Sequence, residues 1–458
     1  MLAFAGCAHV KYEPQPLSPA QTAAAFDARS LADPGLRRFL GESLNRDFSG
    51  ASTSTWDFET LAWVAFYFNP TLEVARAQWE TVRASMRTAG ARSNPTLGLT
   101  PGYSTNPGAG ISPWFPAVTL DFPIETAGKR QHRATEAEQK TEAARQAVFT
   151  AAWKIRSDLR HALLDFTVAQ RRVKQLRAET TLEQHSVILL EQRLNAGAIS
   201  AGEVATARLA AVRAEAQAAD AERQIPIALQ RVAAVLGLPA SALAGVSLPT
   251  PPVVMLSPDQ LATARKQSLQ SRPDILAALA RYSASESALA LEIARQFPDL
   301  HLGPGYQWDQ GQNKWSVGLS FELPLFNHNE GPIAEAVARR REAAAQFLAV
   351  QAQALAEIDG AASGQSAAAA QLETLRRVQS QLEQQRVRVV VRQRAGAGDQ
   401  LETDRAGLEV EIGSLALTDA ETQIALATGQ LEDALQIPFA HLSNIEKSAA
   451  AAMSPSMP

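Results

Sequence analysis

The sequence predicts a mainly α-helical protein that is built from a duplicated unit and carries a small β part of four strands. Alanine, the strongest helix former, is abundant, and 46% of the 458 residues are hydrophobic, so long helices and a large core are expected. Landmarks of the first half recur 199 to 203 residues later. Four short segments alternate between apolar and polar residues, which is the period of a β-strand.

The composition argues against several other classes of protein. A net charge of −4 leaves no basic excess for nucleic acid, and no apolar run reaches the about 18 residues of a conventional transmembrane helix. The single cysteine, Cys7, excludes an intrachain disulfide and a cysteine-based zinc cage. The histidines lack metal-site spacing, and no phosphate-binding glycine loop or nucleophile motif occurs. We therefore expect neither an enzyme, nor a cofactor, nor a bound metal.

The duplication organises the whole chain. Seven landmarks keep the same order in both halves, which one duplicated unit explains better than three unrelated domains do. They are Ser54 and Ser257, Pro70 and Pro273, Pro95 and Pro298, Tyr103 and Tyr306, Pro123 and Pro324, Gly197 and Gly396, and Pro239 and Pro438. We predict an N-terminal anchor or extension at 1–53, repeats at 54–256 and 257–440, and a disordered tail at 441–458.

Each repeat is expected to begin with a short helix. Ser54 and Ser257 are predicted N-caps, with Asp57 and Gln260 at the third helical position and Pro258 at the first. The short helix should stop at the first proline of the repeat, and a second helix should continue to the next proline.

Four strands are predicted at 96–104, 114–123, 299–308 and 314–324. One face of each is apolar, the other is small or polar, and the roughly 8 to 10 residues match a tilted membrane strand. A soluble antiparallel sheet with one face on a core would also alternate. The small polar face and an aromatic belt at one end favour the membrane; the belt comprises Tyr103, Trp114, Tyr306, Trp308 and Trp315.

Four strands cannot close a barrel by themselves, and lipid does not tolerate an open strand edge. The chain is therefore expected to oligomerise, at least to a dimer with eight strands or a trimer with twelve. The polar face would then line the lumen, where Asp121, His301 and Glu322 are expected to keep the pore wet.

Two long helices are predicted, at 129–193 and 333–394. At about 1.5 Å per residue the first would be about 98 Å long, and the helices 70–93 and 203–236 end to end would nearly match it. This balance predicts a long helix packed antiparallel to two shorter ones, with 238–256 bulging between them. A soluble periplasmic coiled-coil scaffold or adaptor would explain these helices equally well, but it would not explain the strands.

Four segments carry a resemblance to a known family. They are "NPTLEVARAQ" at 69–78, "FPIETAGKR" at 122–130, "RLNAGAIS" at 193–200 and "LPLFNHNEGPIAEAVARRR" at 323–341. With the duplication, they make the chain resemble the TolC-type outer-membrane efflux channels of Gram-negative bacteria over about residues 54–438. The second and fourth segments look most like the heavy-metal, CzcC-like branch.

This resemblance implies a homotrimer in the bacterial outer membrane. Three protomers would form a 12-stranded β-barrel that continues as a trimeric helical barrel across the periplasm, with 238–256 and the chain ends in an equatorial belt. The channel would be passive. It would receive heavy-metal cations or drugs from an inner-membrane pump, of the RND type, through a periplasmic adaptor (membrane fusion) protein.

The resemblance also points to sites at the helix tips. Gly197 and Gly396 would form the two hairpin tips and contact the adaptor, although a glycine that ends a helix has a purely structural use as well. A candidate periplasmic gate comprises Glu203, Glu402, Asp399, Asp404, Arg392 and Arg394, together with Arg388. The alternatives are acidic side chains that stabilise a helix N-terminus and a solvated basic helix face.

The segment "FAGC" at 4–7 resembles a lipobox, so Cys7 is a candidate lipid anchor. Phe4 stands where leucine is usual. Six residues precede Cys7, which is too few for the charged and apolar regions of a leader, so the start of the precursor is expected upstream.

Overall fold

The computed structural model describes residues 11–46, 48 and 56–439. Cys7, Ser54 and the tail 441–458 lie outside the described residues. The elements in chain order are α1 Pro19–Asp27, α2 Pro34–Leu44, α3 Phe58–Phe68, α4 Pro70–Ala89, β1 Thr96–Thr100, β2 Ala117–Ile124, α5 Lys129–Asn195, α6 Ala201–Leu236, α7 Pro258–Ser271, α8 Pro273–Ala294, β3 Leu300–Asp309, β4 Gln312–Phe321, α9 Glu330–Arg394 and α10 Gln400–Leu435.

The short helix of each repeat begins with a side-chain cap. Ser257 and Gln260 form a complete capping box at α7, with Pro258 in the first turn, as predicted. The prediction for α3 is wrong, because Asp57 is the N-cap and not the third helical residue. Its carboxylate accepts a hydrogen bond from the backbone N–H of Thr60 at 2.7 Å, which is the bond that a capping serine would otherwise accept.

In both repeats, the residue before the proline that follows the short helix donates a hydrogen bond to a carbonyl at the end of a helix. Asn69 precedes Pro70, and its side-chain amide donates to the carbonyl of Val235 at 2.8 Å, in the last turn of α6. Arg272 precedes Pro273, and its guanidinium donates to the carbonyl of Ala434 in the last turn of α10. Each contact satisfies a carbonyl that has no partner within its own helix.

The long helices are continuous. The helix α5 has 67 residues and α9 has 65, close to the predicted extents, and α9 passes through Gly360 and Gly364 without a break. Within the part of the chain that the structure describes, none of the helices combines the length and the apolar character that crossing a bilayer requires.

The chain forms two compact units, and each draws on both repeats. Unit 1 comprises residues 1–69, 158–252 and 373–422, and unit 2 comprises 70–157, 253–372 and 423–458. Unit 1 contains α1 to α3, α6, the turn between α5 and α6, and the turn between α9 and α10. Unit 2 contains the sheet.

The four strands form one antiparallel sheet in the order β1-β2-β3-β4. Prolines explain why the first two strands are shorter than predicted. Pro101 follows β1 and Pro116 precedes β2, and neither has an N–H for the ladder, although pairing resumes beyond them as a single bridge between Tyr103 and Trp114.

The last hairpin is tighter than predicted. The predicted strands 299–308 and 314–324 leave residues 309–313 for the turn, but Asp309 pairs with Gln312, which leaves two turn residues. Both Gln310 and Gly311 have positive φ, at 53° and 80°, as a type I′ turn requires. The strand β4 ends at Phe321, so Glu322 lies one residue beyond it.

The apolar face of the sheet is open to the surroundings. Side chains on this face have large exposed fractions, with 66% at Leu99, 76% at Val317 and 61% at Leu319. Every residue of β4 is exposed. No helix of unit 2 covers this face, so the packing that a soluble sheet requires is not observed among the described residues.

Candidate functional site

The two hairpin tips lie in unit 1, between α5 and α6 and between α9 and α10. Gly197 and Gly396 each have φ of 75°, and a Cβ at either position would meet no atom within 4 Å. The residue after each glycine donates its N–H to a carbonyl five residues earlier, from Ala198 to Arg193 and from Ala397 to Arg392, both at 2.9 Å. This is the Schellman pattern, and it explains the glycines through backbone conformation alone.

An acidic side chain follows each tip, but the two differ in what they contact. Glu203 forms a capping box with Ser200 at the start of α6, and its Oε1 accepts from the Ser200 N–H at 3.2 Å. At the second tip, Asp399 takes the capping position and accepts from the Glu402 N–H at 2.8 Å. Glu203 therefore stabilises its own helix, in agreement with the simpler alternative for that residue.

Ion pairs connect the first hairpin to the second. Arg193 near the end of α5 donates to Asp399 at 2.6 Å, and the Nδ1 atom of His185 lies 2.6 Å from the carboxylate of Asp404. Asp404 is only 3% exposed, and Gln400 donates to its other oxygen at 2.7 Å. The Glu402 N–H and the Arg193 guanidinium hold the pKa of Asp399 below its usual range.

The second hairpin carries one ion pair of its own at the tip. Arg392 donates to Glu402 across the turn from α9 to α10. Arg394 is exposed and, within the described residues, makes no ion pair shorter than 4.0 Å; the same holds for Arg388. The structure thus brings together four of the six predicted gate residues, Asp399, Glu402, Asp404 and Arg392.

No local pattern in the sequence marks Arg193 or His185 as partners of these acids. They lie 206 and 219 residues away from Asp399 and Asp404. Only the packing of α5 against α10 brings them together. Beneath the tips, buried Leu190, Val204 and Leu401 form a small apolar cluster that supports both hairpins.

Like charges face each other further along the same helices. Burial raises the pKa of Glu179, and the negative charge of Glu411 adds to this effect. Burial likewise raises the pKa of Glu183, with a contribution from Glu179. The four-residue spacing of Glu179 and Glu183 on α5 was the available signal, because residues at this spacing share a helix face.

We predict that replacing Glu179 and Glu183 with glutamine stabilises the protein at neutral pH. A raised carboxyl pKa means that wild-type stability is complete at acid pH and falls as pH rises through the raised pKa. The gain in unfolding free energy should be about 0.5–1 kcal/mol at pH 7 and should vanish near pH 4. Thermal unfolding by circular dichroism measures it, with the exposed pair Glu215→Gln and Glu383→Gln as control. A gain that does not depend on pH would contradict the prediction.

Unit 2 contains the predicted polar and aromatic residues of the sheet. His301 lies with its Nδ1 3.0 Å from Asp121 on the polar face, and Glu322 lies beyond the strand end. The rings of Tyr103 and Trp114 are 5.0 Å apart, and those of Tyr306 and Trp315 are 4.8 Å apart. Trp308 pairs with Asn313 beside the tight turn. The five aromatic residues therefore lie at one end of the sheet.

Metal ligands do not cluster in the described ranges. No group of three or more His, Cys, Asp or Glu side chains there is arranged to hold a metal ion. The contacts described at the tips include ion pairs and helix caps, and those on the sheet include the His301–Asp121 pair, a Lys314–Asp309 ion pair and aromatic contacts.

Comparison with known proteins identifies the family. The sequence profile described as "Outer membrane efflux protein" matches residues 67–238 and again residues 264–435, once in each repeat. The cobalt-zinc-cadmium resistance protein CzcC of Cupriavidus metallidurans is 26% identical over 237 residues, which cover 50% of this chain and 55% of that protein. The match thus spans about half the length of this relative.

Solved structures show the same fold. The outer membrane protein VceC of Vibrio cholerae superimposes with a TM-score of 0.68 at 24% identity, over 82% of this chain and 95% of that one. The outer-membrane channel OprN superimposes with a TM-score of 0.69 at 20% identity, over 90% and 97%. The resemblance and the fold class predicted from the sequence are both confirmed, and the chain belongs to the outer membrane efflux protein family.

Proposed function

We propose that this protein is the outer-membrane channel subunit of a tripartite efflux pump and provides a passive duct across the periplasm and the outer membrane. The observation that carries the proposal is the exposed apolar face of the sheet, with its aromatic residues at one end. Such a face is stable in hydrocarbon and costly in water. Membership of the family supports the same function and an outer-membrane location.

The working unit is a homotrimer. The outer strands β1 and β4 each have one unpaired edge within the described chain, and lipid leaves no solvent to satisfy the N–H and C=O groups of such an edge. Pairing β4 of one protomer with β1 of the next removes every edge. Three protomers give a 12-stranded barrel, which accommodates a water-filled lumen better than the eight strands of a dimer.

The hairpin tips at Gly197 and Gly396 contact a periplasmic adaptor, and an inner-membrane pump of the RND type supplies the energy. The tips suit this role because each glycine faces open space, with no atom of this chain within 4 Å of where its Cβ would lie. The duct carries out no chemical step and needs no cofactor. Asp121 and His301 lie in the lumen and keep its wall hydrated.

The cargo we propose is a heavy-metal cation of the kind named in the relative CzcC, with drugs as the second candidate. The chain should be expressed with a matching adaptor and pump in a strain that lacks its own outer-membrane channel. Restored tolerance to cobalt, zinc or cadmium supports the first cargo, and restored tolerance to drugs alone supports the second. Restoration of neither would contradict the efflux function.

A soluble coiled-coil scaffold is the competing function. It predicts a monodisperse protein without detergent, whereas a channel requires detergent and has the mass of three chains. Light scattering combined with size-exclusion chromatography separates the two cases. The exposed fractions of Val317 and Leu319 on the sheet favour the channel.

The acidic residues at the tips form a gate that favours cations. Three-fold symmetry would repeat the half-exposed Glu402 around the pore, and a ring of carboxylates attracts cations, while the buried Asp404 holds the two hairpins together through His185. We predict that Glu402→Gln with Asp404→Asn lowers cation preference and raises conductance, because the contacts to Arg392 and His185 are lost. Planar-bilayer recordings measure both quantities.

A matched control exists in the first hairpin. Glu191 and Glu222 make exposed ion pairs to Arg208 and Arg177 that stay between α5 and α6. Glu191→Gln with Glu222→Gln removes the same charge without touching a contact between hairpins. If the gate variant and this control conduct alike, with wild-type cation preference, the gate proposal fails.

Cys7 anchors the protein to lipid in this proposal, as the "FAGC" segment suggests. Intact-mass spectrometry of membrane-extracted protein should show a chain that begins at Cys7 and carries acyl groups. Cys7→Ala should abolish the added mass. An unmodified cysteine in the extracted protein would exclude the anchor.

A further inference from the structure

An exposed basic patch lies in unit 2, where α4 ends and α5 begins. The helix ends are joined because Arg133 of α5 donates to the carbonyl of Ala89, the last residue of α4, at 3.3 Å. We call this surface the arginine collar; it consists of the exposed residues Arg83, Arg87, Arg92 and Arg130.

The arginines of the collar have no acidic partner. Within the described residues, no carboxylate lies within 4.0 Å of any of the four. Residues 81–95 contain no aspartate or glutamate at all. The guanidinium of Arg83 lies 5.7 Å from the centre of the Trp79 ring, a contact that leaves its charge uncompensated.

Neighbouring cations at the same place are paired internally, which sets the collar apart. Lys129 is buried and donates to Asp299 at 2.8 Å. Arg133 contacts Glu125. Asp299 and Glu125 are therefore occupied by other cations. Within the described residues the four collar arginines have no acidic partner, which leaves their hydrogen-bond donors available to an external acceptor.

Helix stability does not explain the collar. The first turn of α5 contains no acidic residue, and a cation at a helix N-terminus is unfavourable, so Arg130 is electrostatically misplaced for its own helix. Arg87 lies in the last turn of α4, where a cation is favourable, but Arg92 lies three residues beyond the helix end.

The collar borders the part of the sheet that faces lipid. Three residues separate Arg92 from the start of β1 at Thr96, and β2 ends at Ile124, five residues before α5 begins. Leu97 and Ile124 at this end are 57% and 47% exposed. The aromatic residues mark the opposite end, and the helices leave from this one, so it is the end nearest the periplasm.

We propose that the arginine collar binds the phosphate groups of anionic phospholipids in the periplasmic leaflet of the outer membrane. This inference rests on the proposed function, because it requires the sheet to cross that membrane. Guanidinium groups bind phosphate oxygens in a bidentate way, and each basic residue near an anionic surface strengthens binding by about fivefold. Exposed leucine and isoleucine beside the arginines continue the surface into the hydrocarbon.

The test uses the purified full chain in detergent with palmitoyl-oleoyl phosphatidylglycerol or phosphatidylcholine as added lipid, followed by native mass spectrometry. The wild-type protein should retain more phosphatidylglycerol than phosphatidylcholine. The charge-neutral variant in the collar should lose at least about tenfold of that preference; it combines Arg83→Gln, Arg87→Gln, Arg92→Gln and Arg130→Gln. The matched control should keep it; it combines Arg213→Gln, Arg223→Gln, Arg386→Gln and Arg405→Gln, four exposed arginines of α6, α9 and α10.

The inference is overturned if the collar variant binds phosphatidylglycerol as well as the wild type does. It is also overturned if the collar captures an acidic protein and shows no lipid preference.

If the fourfold variant does not fold, Arg92→Gln and Arg130→Gln are tested singly, and wild-type binding is titrated with salt. Preference should fall between about 0.05 M and 0.5 M NaCl, since salt screens exposed charges; constant preference overturns the inference. A protein that forms pores but shows no lipid preference contradicts the inference about the collar and leaves the proposed function intact. A protein that needs no detergent and forms no pores refutes the proposed function.

Discussion

Val317→Arg should abolish assembly in the outer membrane. Val317 is the sixth of the ten residues of β4, and its side chain is 76% exposed on the apolar face. A charge on the lipid face near the bilayer centre costs about 2–4 kcal/mol, and three protomers each carry it. Leu319→Arg should act in the same direction. The amount of trimer in isolated outer membranes, measured on semi-native gels, reports the loss.

The control for this prediction lies on the same strand. Ser320 follows Leu319 and therefore points to the polar face, where it pairs with His301 in the register of β3 and β4. Ser320→Arg should assemble nearly as well as the wild type. Equal assembly of Val317→Arg and Ser320→Arg would mean that the apolar face does not contact lipid, and it would favour the soluble scaffold.

Arg272→Leu should destabilise unit 2 by about 3 kcal/mol. Arg272 is 3% exposed, and its guanidinium donates to Asp274 at 2.6 Å, to Glu357 at 2.9 Å and to the carbonyl of Ala434. Leucine would leave two carboxylates and a helix-terminal carbonyl without their donor. Because both carboxylates are partly exposed, the loss should lie at the low end of the range for broken buried ion pairs. Urea unfolding in detergent, followed by circular dichroism, measures it.

Arg265→Gln is the matched control. Arg265 lies in α7 and donates to Asp359 of α9 at 3.0 Å, but this pair is exposed. Exposed pairs contribute at most about 1 kcal/mol, so this variant should unfold almost like the wild type. Equal losses from the two substitutions would show that the burial of Arg272 has no special weight.

The predictable parts of the fold are those with a local signal. Prolines at 70, 258 and 273 begin helices because they lack the N–H that a first turn does not need, and the two-residue alternation reveals the strands. The prediction fails where several nearby residues could form the same helix cap or the same turn. Asp57 caps α3 because its carboxylate reaches the Thr60 N–H, and Gln310 with Gly311 closes the last hairpin because both adopt positive φ.

At the candidate site, the sequence predicts the positions of the two turns but not the side-chain contacts between the hairpins. Gly197 and Gly396 are visible in the sequence because a helix that ends in a left-handed residue prefers glycine. The partners of the tip acids are not visible, since Arg193 and His185 meet Asp399 and Asp404 through packing between hairpins. The collar was equally hidden, because the importance of Arg92 and Arg130 depends on which neighbouring carboxylates are already occupied.

Single-channel recording of the purified full chain in a planar lipid bilayer tests the central claim most directly. Insertion should produce discrete current steps of uniform size from a trimer that prefers cations, and Val317→Arg should produce none. A protein that stays monodisperse without detergent and adds no current to the bilayer would contradict the account.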